Sequence, residues 1–416
     1  MKKIILTFLM TILFVPSVAF AEGFGLYDWS AAGNAMSHNY MFGEDDPSVL
    51  AYNPAQITKI RGSYLQAGFT FINPSISLDF HGSYSDGTHT TTNYNPATVP
   101  SLFYVQDTRG GGVWWGVGVF ARFGNAMELD KNGWGRYDTI FAGVKSITVQ
   151  PTVAFKPHKK WSLAFGLDLN YGGLKNKKAI PPVSLGGGES FLQVEGDSIN
   201  VGYLISAMYD FDDETSVALM YRSRIHHSVN EADFVAEGGI PHFAKAETDV
   251  TLPDSLTFGI GHRFNDKTRV EANVTWTHWS LYDKLNITLD KPWISPTLSI
   301  ENNWNSSWKL GVGIEHKLNK EWTLLAGYTW DQSPFPGKYV NLSLPTGNRH
   351  YLSAGCKYSP NDVMTLALAY CYVIMGDRVV QSHELKPGIT NPLYDTVNAH
   401  NEYSHNVSLS LTVKCR

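Results

Sequence analysis

From residue 62 onward, apolar and polar side chains alternate with a period of two. In Trp161-Ser-Leu-Ala-Phe-Gly-Leu-Asp-Leu-Asn-Tyr171, the odd positions are all large and apolar, and the even ones are small or polar. Successive side chains of a β-strand point to opposite faces, so the pattern predicts strands with one oily face. Trp308, Leu310, Val312 and Ile314 repeat it, as do Val270, Val274 and Trp276, and Val407, Leu409, Leu411 and Val413. About fourteen such segments fall near 62–73, 98–107, 112–124, 144–157, 160–173, 195–212, 214–228, 249–265, 267–290, 296–318, 321–332, 345–359, 362–378 and 398–414. Short connections, such as Pro157-His158-Lys159, Asn265-Asp266 and Pro360-Asn361, alternate with long ones near 74–97, 125–143, 174–194, 229–248, 284–300, 333–344 and 379–397.

The face that is not oily carries mid-strand charges: Asp168, Arg222, Arg263, Glu271 and Lys309. A soluble sandwich would turn its oily face inward. Here the oily face is expected to meet lipid and the charges a watery lumen. Aromatics gather at strand ends: Trp161 with Tyr171, Tyr209 with Phe211, and Trp322, Tyr328 and Trp330. They match the two interfacial girdles of a barrel. The expected fold is an all-β, 14-stranded antiparallel transmembrane barrel. Closing the sheet also removes the edges that lipid cannot hydrogen-bond.

The N-terminus changes this picture. Lys2, Lys3 and the apolar run Ile4–Val15, followed by Ala19-Phe20-Ala21, read as an export leader over 1–21. Residues 22–61 do not alternate. The stretch Leu50-Ala-Tyr-Asn-Pro-Ala-Gln-Ile-Thr-Lys59 is too broken by Pro54 for a central strand. Asn53 precedes proline and is expected to end a short helix or form a turn. A fourteen-stranded bore needs filling, so 22–61 is expected to be a hatch inside a barrel formed by 62–416.

Composition narrows the function. Aromatics at 13% and 37 glycines favour β structure, and a net charge of −5 argues against a nucleic-acid partner. Three cysteines make no disulfide framework; strand parity turns Cys356 outward and Cys371 inward, so no bridge between them is expected. His226-His227 face opposite sides of a strand, so no metal site is expected, nor any cofactor. Gly196-Asp197-Ser198 superficially matches a Gly-Asp-Ser nucleophile motif, but Ser198 opens an alternating strand, not a strand-to-helix turn. No enzymatic activity is expected.

Several blocks together resemble the long-chain fatty-acid outer-membrane transporter family of the FadL, OmpP1 and TodX type. They are Gly23-Phe24 with Leu26, Asn53-Pro54-Ala55 with Ile57-Thr58, Tyr221-Arg222-Ser223, Leu252-Pro253-Asp254 and Trp276-Thr-His-Trp279. The strongest is Trp322-Thr-Leu-Leu-Ala-Gly-Tyr328 with Asp331-Gln-Ser333-Pro334, Leu344-Pro345, Arg349 and Leu352-Ser353-Ala354-Gly355. The resemblance implies an outer-membrane location and passive uptake of fatty acids or similar hydrophobic compounds. Solute would be captured at extracellular loops, pass to a lumenal pocket, and leave sideways at an inward kink of the third strand. The matching kink is Arg122, Gly124 and Asn125. Aromatic hydrocarbons are the alternative cargo, and a surface or receptor role is the alternative of another class.

Expected substrate contacts are Phe24, Leu26, Phe123 and, by strand parity, the inward Trp114, Phe120, Leu204, Met208, Met220 and Leu325. Arg222 and Lys178 are the candidate partners of a carboxylate head. Outer-membrane lipid and the barrel-assembly machinery are the other expected partners, and a monomer is expected because a closed barrel satisfies its own edges. The family it resembles usually ends in an aromatic, whereas this chain ends Val413-Lys-Cys-Arg416; either insertion uses an internal signal or the end is atypical.

Overall fold

The computed structural model describes residues 23–415, apart from 83, 84, 86, 93–95, 109–111, 183–187, 294, 383, 387, 388, 391 and 392. The predicted leader lies outside the described residues. Twenty-one hydrogen-bonded segments form one antiparallel sheet that closes on itself. They reduce to fourteen strands when three interrupted strands are each counted once and four short extracellular segments are set aside.

The strands are β1 (Ser63–His81), β2 (Ala97–Asp107), β3 (Val113–Phe120 and Gly124–Glu128), β4 (Phe141–His158), β5 (Trp161–Ile180), β6 (Ser190–Asp210) and β7 (Thr215–Arg222 and Ile225–Gly238). They continue as β8 (His242–Leu252 and Ser255–Arg263), β9 (Thr268–Thr277), β10 (Ser307–Lys317), β11 (Trp322–Asp331), β12 (Arg349–Asn361), β13 (Met364–Met375) and β14 (Thr396–Cys415). β1 pairs with β14 from Ser63–Cys415 to His81–Thr396, which closes the ring.

Alternation places the apolar face outside as expected. Phe165, Leu310, Ile314, Leu368 and Leu409 are each 40–50% exposed, while their neighbours Asp168, Thr329, Ser408 and Ser410 are buried inside. Aromatic pairs flank this band, with Trp161 against Tyr209 at 4.8 Å and Trp322 against Tyr358 at 4.6 Å. Cys356 and Cys371 fall on opposite faces, and all three cysteines are free.

Two expectations are corrected. The segments near 229–248 and 284–300 are not irregular loops. The first is the far end of the β7–β8 hairpin, and the second folds into its own hairpin, Lys284–Leu289 with Thr297–Glu301. Alternation weakens there because these extensions stand beyond the lipid. The inward charges do not meet open water either. Asp168, Arg222, Glu271 and Lys309 are 8% exposed or less, and Arg263 ends its strand, where it pairs with Glu44.

The N-terminal segment displaces that water. Helix α1 (Ala31–Ala35) is capped by Ser30, whose Oγ accepts from the Gly33 N–H. Its small side chains let it press on the wall. Asn34 Nδ2 donates to Thr70 and Ser408, and the Ala31 N–H donates to Ser410 Oγ. A Cβ on Gly327 would lie 2.2 Å from the Met36 carbonyl carbon, so this wall position accepts only glycine. Helix α2 (Val49–Tyr52) ends at Asn53, as the sequence predicts, and Pro54 opens a 3-10 turn, Pro54–Lys59. Asn53 donates to Met41 O and accepts from Ser206 Oγ, which ties the Asn-Pro-Ala motif to β6. Around it, Arg269, Glu271, Glu315, Lys357 and Tyr40 form a buried charge network.

Candidate functional site: an aromatic cavity beside a broken strand

β3 is interrupted at Ala121-Arg122-Phe123. The ladder with β4 runs to Phe120–Thr148 and resumes at Gly124–Lys145, so three residues of β3 oppose two of β4. One extra residue on one strand is a bulge, which bends the strand. On the other side, pairing with β2 stops at Leu102–Val119, leaving 97–101 without a β3 partner. The wall therefore opens between β2 and β3. The expected kink residues Arg122, Gly124 and Asn125 all sit at this break.

The N-terminal segment fills the break as a short extra strand. Gly25 bridges Phe123, the Leu26 N–H donates to Arg122 O, and the Gly124 N–H donates to Phe24 O. Leu26 lies in the gap among Ile72, Ala97, Val99, Ala121 and Ala126. Trp29 Nε1 donates to Ala121 O. Backbone groups exposed by the bulge are thus satisfied by the hatch and not by lipid, where each unmet group costs several kcal/mol.

Above the break lies a cavity of about 140 Å³. Its floor is Phe24, which packs on Trp279 at 4.8 Å, Tyr282 at 5.4 Å, Trp304 at 5.6 Å and Phe123 at 6.1 Å. Phe335, Leu174, Val229 and Leu252 add to the apolar lining. Two buried polar atoms at the lining have no partner: Asn302 Nδ2, a donor, and Asn125 Oδ1, an acceptor. Lys145 and Lys175 border it, the second paired with Glu195.

Of the sequence-expected contacts, Phe24 and Asn125 line this cavity, and Phe123 touches it through Phe24. Trp114, Phe120, Met208, Met220 and Leu325 pack against the hatch, and Trp114 Nε1 donates to Ile60 O. Leu204 is fully buried and inward-facing. Arg222 is engaged elsewhere. Its guanidinium binds Asp168, Gln150 and Ala51 O, and Asp168 also holds Arg122 at 2.8 Å. Lys178 points inward on β5, half-buried, outside the cavity lining. Trp279, Tyr282, Trp304, Phe335 and Asn302 are absent from the sequence-expected set. They come from extracellular connections folded inward, where alternation gives no direction. The aromatic spacing Trp279-Ser-Leu-Tyr282 is the one signal that points to them.

A second interruption lies between β6 and β7, and its His227 borders the same cavity. β6 pairs with β7 at 190–195 with 233–238 and at 204–210 with 216–222, with no ladder pairs between among the described residues. Side chains bridge this seam. Ser198 Oγ and His227 Nδ1 are 2.8 Å apart, and His227 Nε2 lies 3.0 Å from Asn170 Oδ1. Ser198 faces the lumen in mid-strand, as its alternation requires.

The outer-membrane protein transport family (OMPP1/FadL/TodX) matches residues 12–411. A long-chain fatty acid transport protein of Escherichia coli is 23% identical over 412 residues, covering 88% of this chain and 89% of the relative. Among solved structures, a Pseudomonas aeruginosa FadL homologue superposes with a TM-score of 0.83 at 18% identity, covering 94% of this chain and 99% of the other. The Pseudomonas putida toluene transporter TodX gives 0.72 at 17% identity, with 94% and 99% covered. A closed fourteen-stranded barrel, a filled bore and a match across nearly the whole length agree: the chain belongs to the OMPP1/FadL/TodX family of outer-membrane proteins that transport hydrophobic compounds.

Proposed function

We propose that the protein takes up hydrophobic solutes passively and releases them sideways through the β2–β3 gap. Solute meets the extracellular connections, enters the aromatic cavity, and leaves along Leu26 and Val99 into the outer membrane. A path of apolar walls suits such a solute, since each buried CH₂ is worth about 0.8 kcal/mol. No energy source is needed if membrane lipid is the sink. Residues 22–61 act as the gate, 62–416 as the conduit, and 1–21 as a leader that is removed.

One observation carries this reading: the cavity floor and the gap seal are the same segment. Phe24 lines the cavity while its carbonyl holds Gly124 across the break. A solute that displaces Phe24 pulls on the backbone bridge that closes the wall. The volume suits one aromatic ring or part of an acyl chain, since a cavity of about 150 Å³ accepts benzene. Asn302 Nδ2 is an unpartnered donor for a carboxylate at the lining, so both fatty acids and monoaromatics are fitting cargo.

The test is uptake of radiolabelled oleate and toluene by cells with and without the protein. A variant lacking Ala121, which restores an even count against β4, is measured beside it. Both solutes are expected to enter faster with the native chain, and the deletion variant is expected to abolish the gain. Equal uptake by the folded deletion variant would exclude the lateral route, and no gain with the native chain would exclude transport of these solutes.

The Ser198–His227–Asn170 contacts favour a second reading, ester hydrolysis, in their order alone. In the transport reading they seal the seam. Turnover of p-nitrophenyl butyrate that is lost in Ser198→Ala would overturn the non-enzymatic assignment.

A further inference from the structure

We propose that Asp79, His89 and His400 form a binding site for a divalent first-row transition metal ion on the outer face of the barrel. Asp79 and His89 are direct cross-strand partners, because the short strand Thr88–Thr91 pairs with the end of β1. His400 reaches the same face from β14, where Ser77–His400 and Asp79–Asn398 set it diagonal to Asp79. Leu78 and Phe80 point inward and are buried, so Asp79 between them points out.

The carboxylate stands between the two rings. Asp79 Oδ1 is 2.6 Å from His89 Nδ1, and Oδ2 is 2.8 Å from His400 Nε2. All three ligand atoms lie within 4.8 Å of one another. The side chains are 33%, 55% and 27% exposed, so the rings can turn and an ion can enter from solvent. Tetrahedral zinc needs nitrogen and oxygen at about 2.0–2.2 Å. Drawing an ion between these atoms separates the carboxylate from the rings by roughly 0.5–1 Å, a change that rotation of exposed side chains supplies.

Ligand type selects the ion. Two imidazoles and one carboxylate suit zinc, nickel or copper, whereas magnesium and calcium prefer oxygen alone. Three protein ligands leave a fourth position for water. The site also ties the short strand Thr88–Thr91 to the β1–β14 seam, since among the described residues its ladder joins it to β1 alone. The ion would fasten this extracellular edge across the closing seam of the barrel. Spacing conceals the site in the sequence: residues 79, 89 and 400 meet only because the first and last strands pair.

The experiment uses the full-length protein, purified without a histidine tag in detergent. Zn²⁺ is titrated by calorimetry, and Co²⁺ by its visible d–d absorption. Native protein is expected to bind one zinc ion at this site. His89→Ala, His400→Ala and Asp79→Asn are each expected to weaken binding about tenfold to a hundredfold, the range typical of lost metal-site partners. Heat-modifiable migration on gels verifies that each variant remains a folded barrel. Undiminished binding in a folded His89→Ala/His400→Ala variant would overturn the proposal, as would a native protein without that zinc. A lone ion pair between Asp79 and protonated histidines predicts the latter.

Discussion

Two breaks in the barrel wall, among the described residues, are mended differently. At β3, the backbone of residues 24–26 steps in and supplies the missing hydrogen bonds. Between β6 and β7, side chains link the strands instead, with His227 reaching across to Ser198 and Asn170. The first repair belongs to a segment that precedes the barrel strands; the second belongs to the wall itself. A gap is a door only when the groups that satisfy it can leave together, because lipid offers them no replacement.

The largest expected effect on transport comes from filling the first break permanently. A Cβ at Gly124 would stand 2.8 Å from Leu26 Cδ1, so Gly124→Leu occupies the gap. Uptake of oleate is expected to fall about tenfold or more, equivalent to at least ~1.4 kcal/mol of added barrier. Native uptake in a folded Gly124→Leu barrel would show that the two breaks do not differ in role.

Next is the junction that ties the kink to the hatch. Asp168 is fully buried between Arg122 and Arg222, and Arg222 also holds Ala51 O. Asp168→Asn leaves two buried guanidiniums without a counter-charge. It is expected to destabilise the barrel by about 3–5 kcal/mol, read from the urea midpoint in lipid vesicles.

A smaller effect is expected at the seam. His227→Phe removes both bridging hydrogen bonds, worth about 1–3 kcal/mol when partners stay buried. Amide exchange should quicken in residues 196–202 and stay unchanged in 24–26. Faster exchange at both would mean the breaks are coupled.

The smallest effect depends on pH. Burial lowers the His38 pKa against the opposing pull of Asp28 at 3.8 Å. A histidine held neutral in the fold contributes stability above its ordinary pKa of about 6.5 and loses it as pH falls. Amide exchange in residues 31–40 is expected to rise between pH 7.5 and pH 5, and His38→Gln should flatten that rise.

Period-two alternation made the barrel legible, because lipid and lumen reward opposite chemistries at successive positions. Trp161 to Tyr171 needed no partner to reveal its faces. The hatch was legible by contrast, as the one stretch where Asn53-Pro54 broke the rhythm. The cavity was not. Trp304 and Phe335 sit on extracellular connections, where Trp304 packs on Phe24 and Phe335 on Trp304 without following any repeat. Inward parity alone led to Met208, Met220 and Leu325, which face the bore but meet the hatch. Nor could parity tell a solvated charge from Asp168, whose two arginine partners come from β3 and β7.

The link between Ala31 and Ser410 has a consequence for biogenesis. The segment exported first cannot be seated until the strand exported last has arrived. Until then its aromatic residues have no berth. Maturation should therefore finish with the beginning of the polypeptide, not its end.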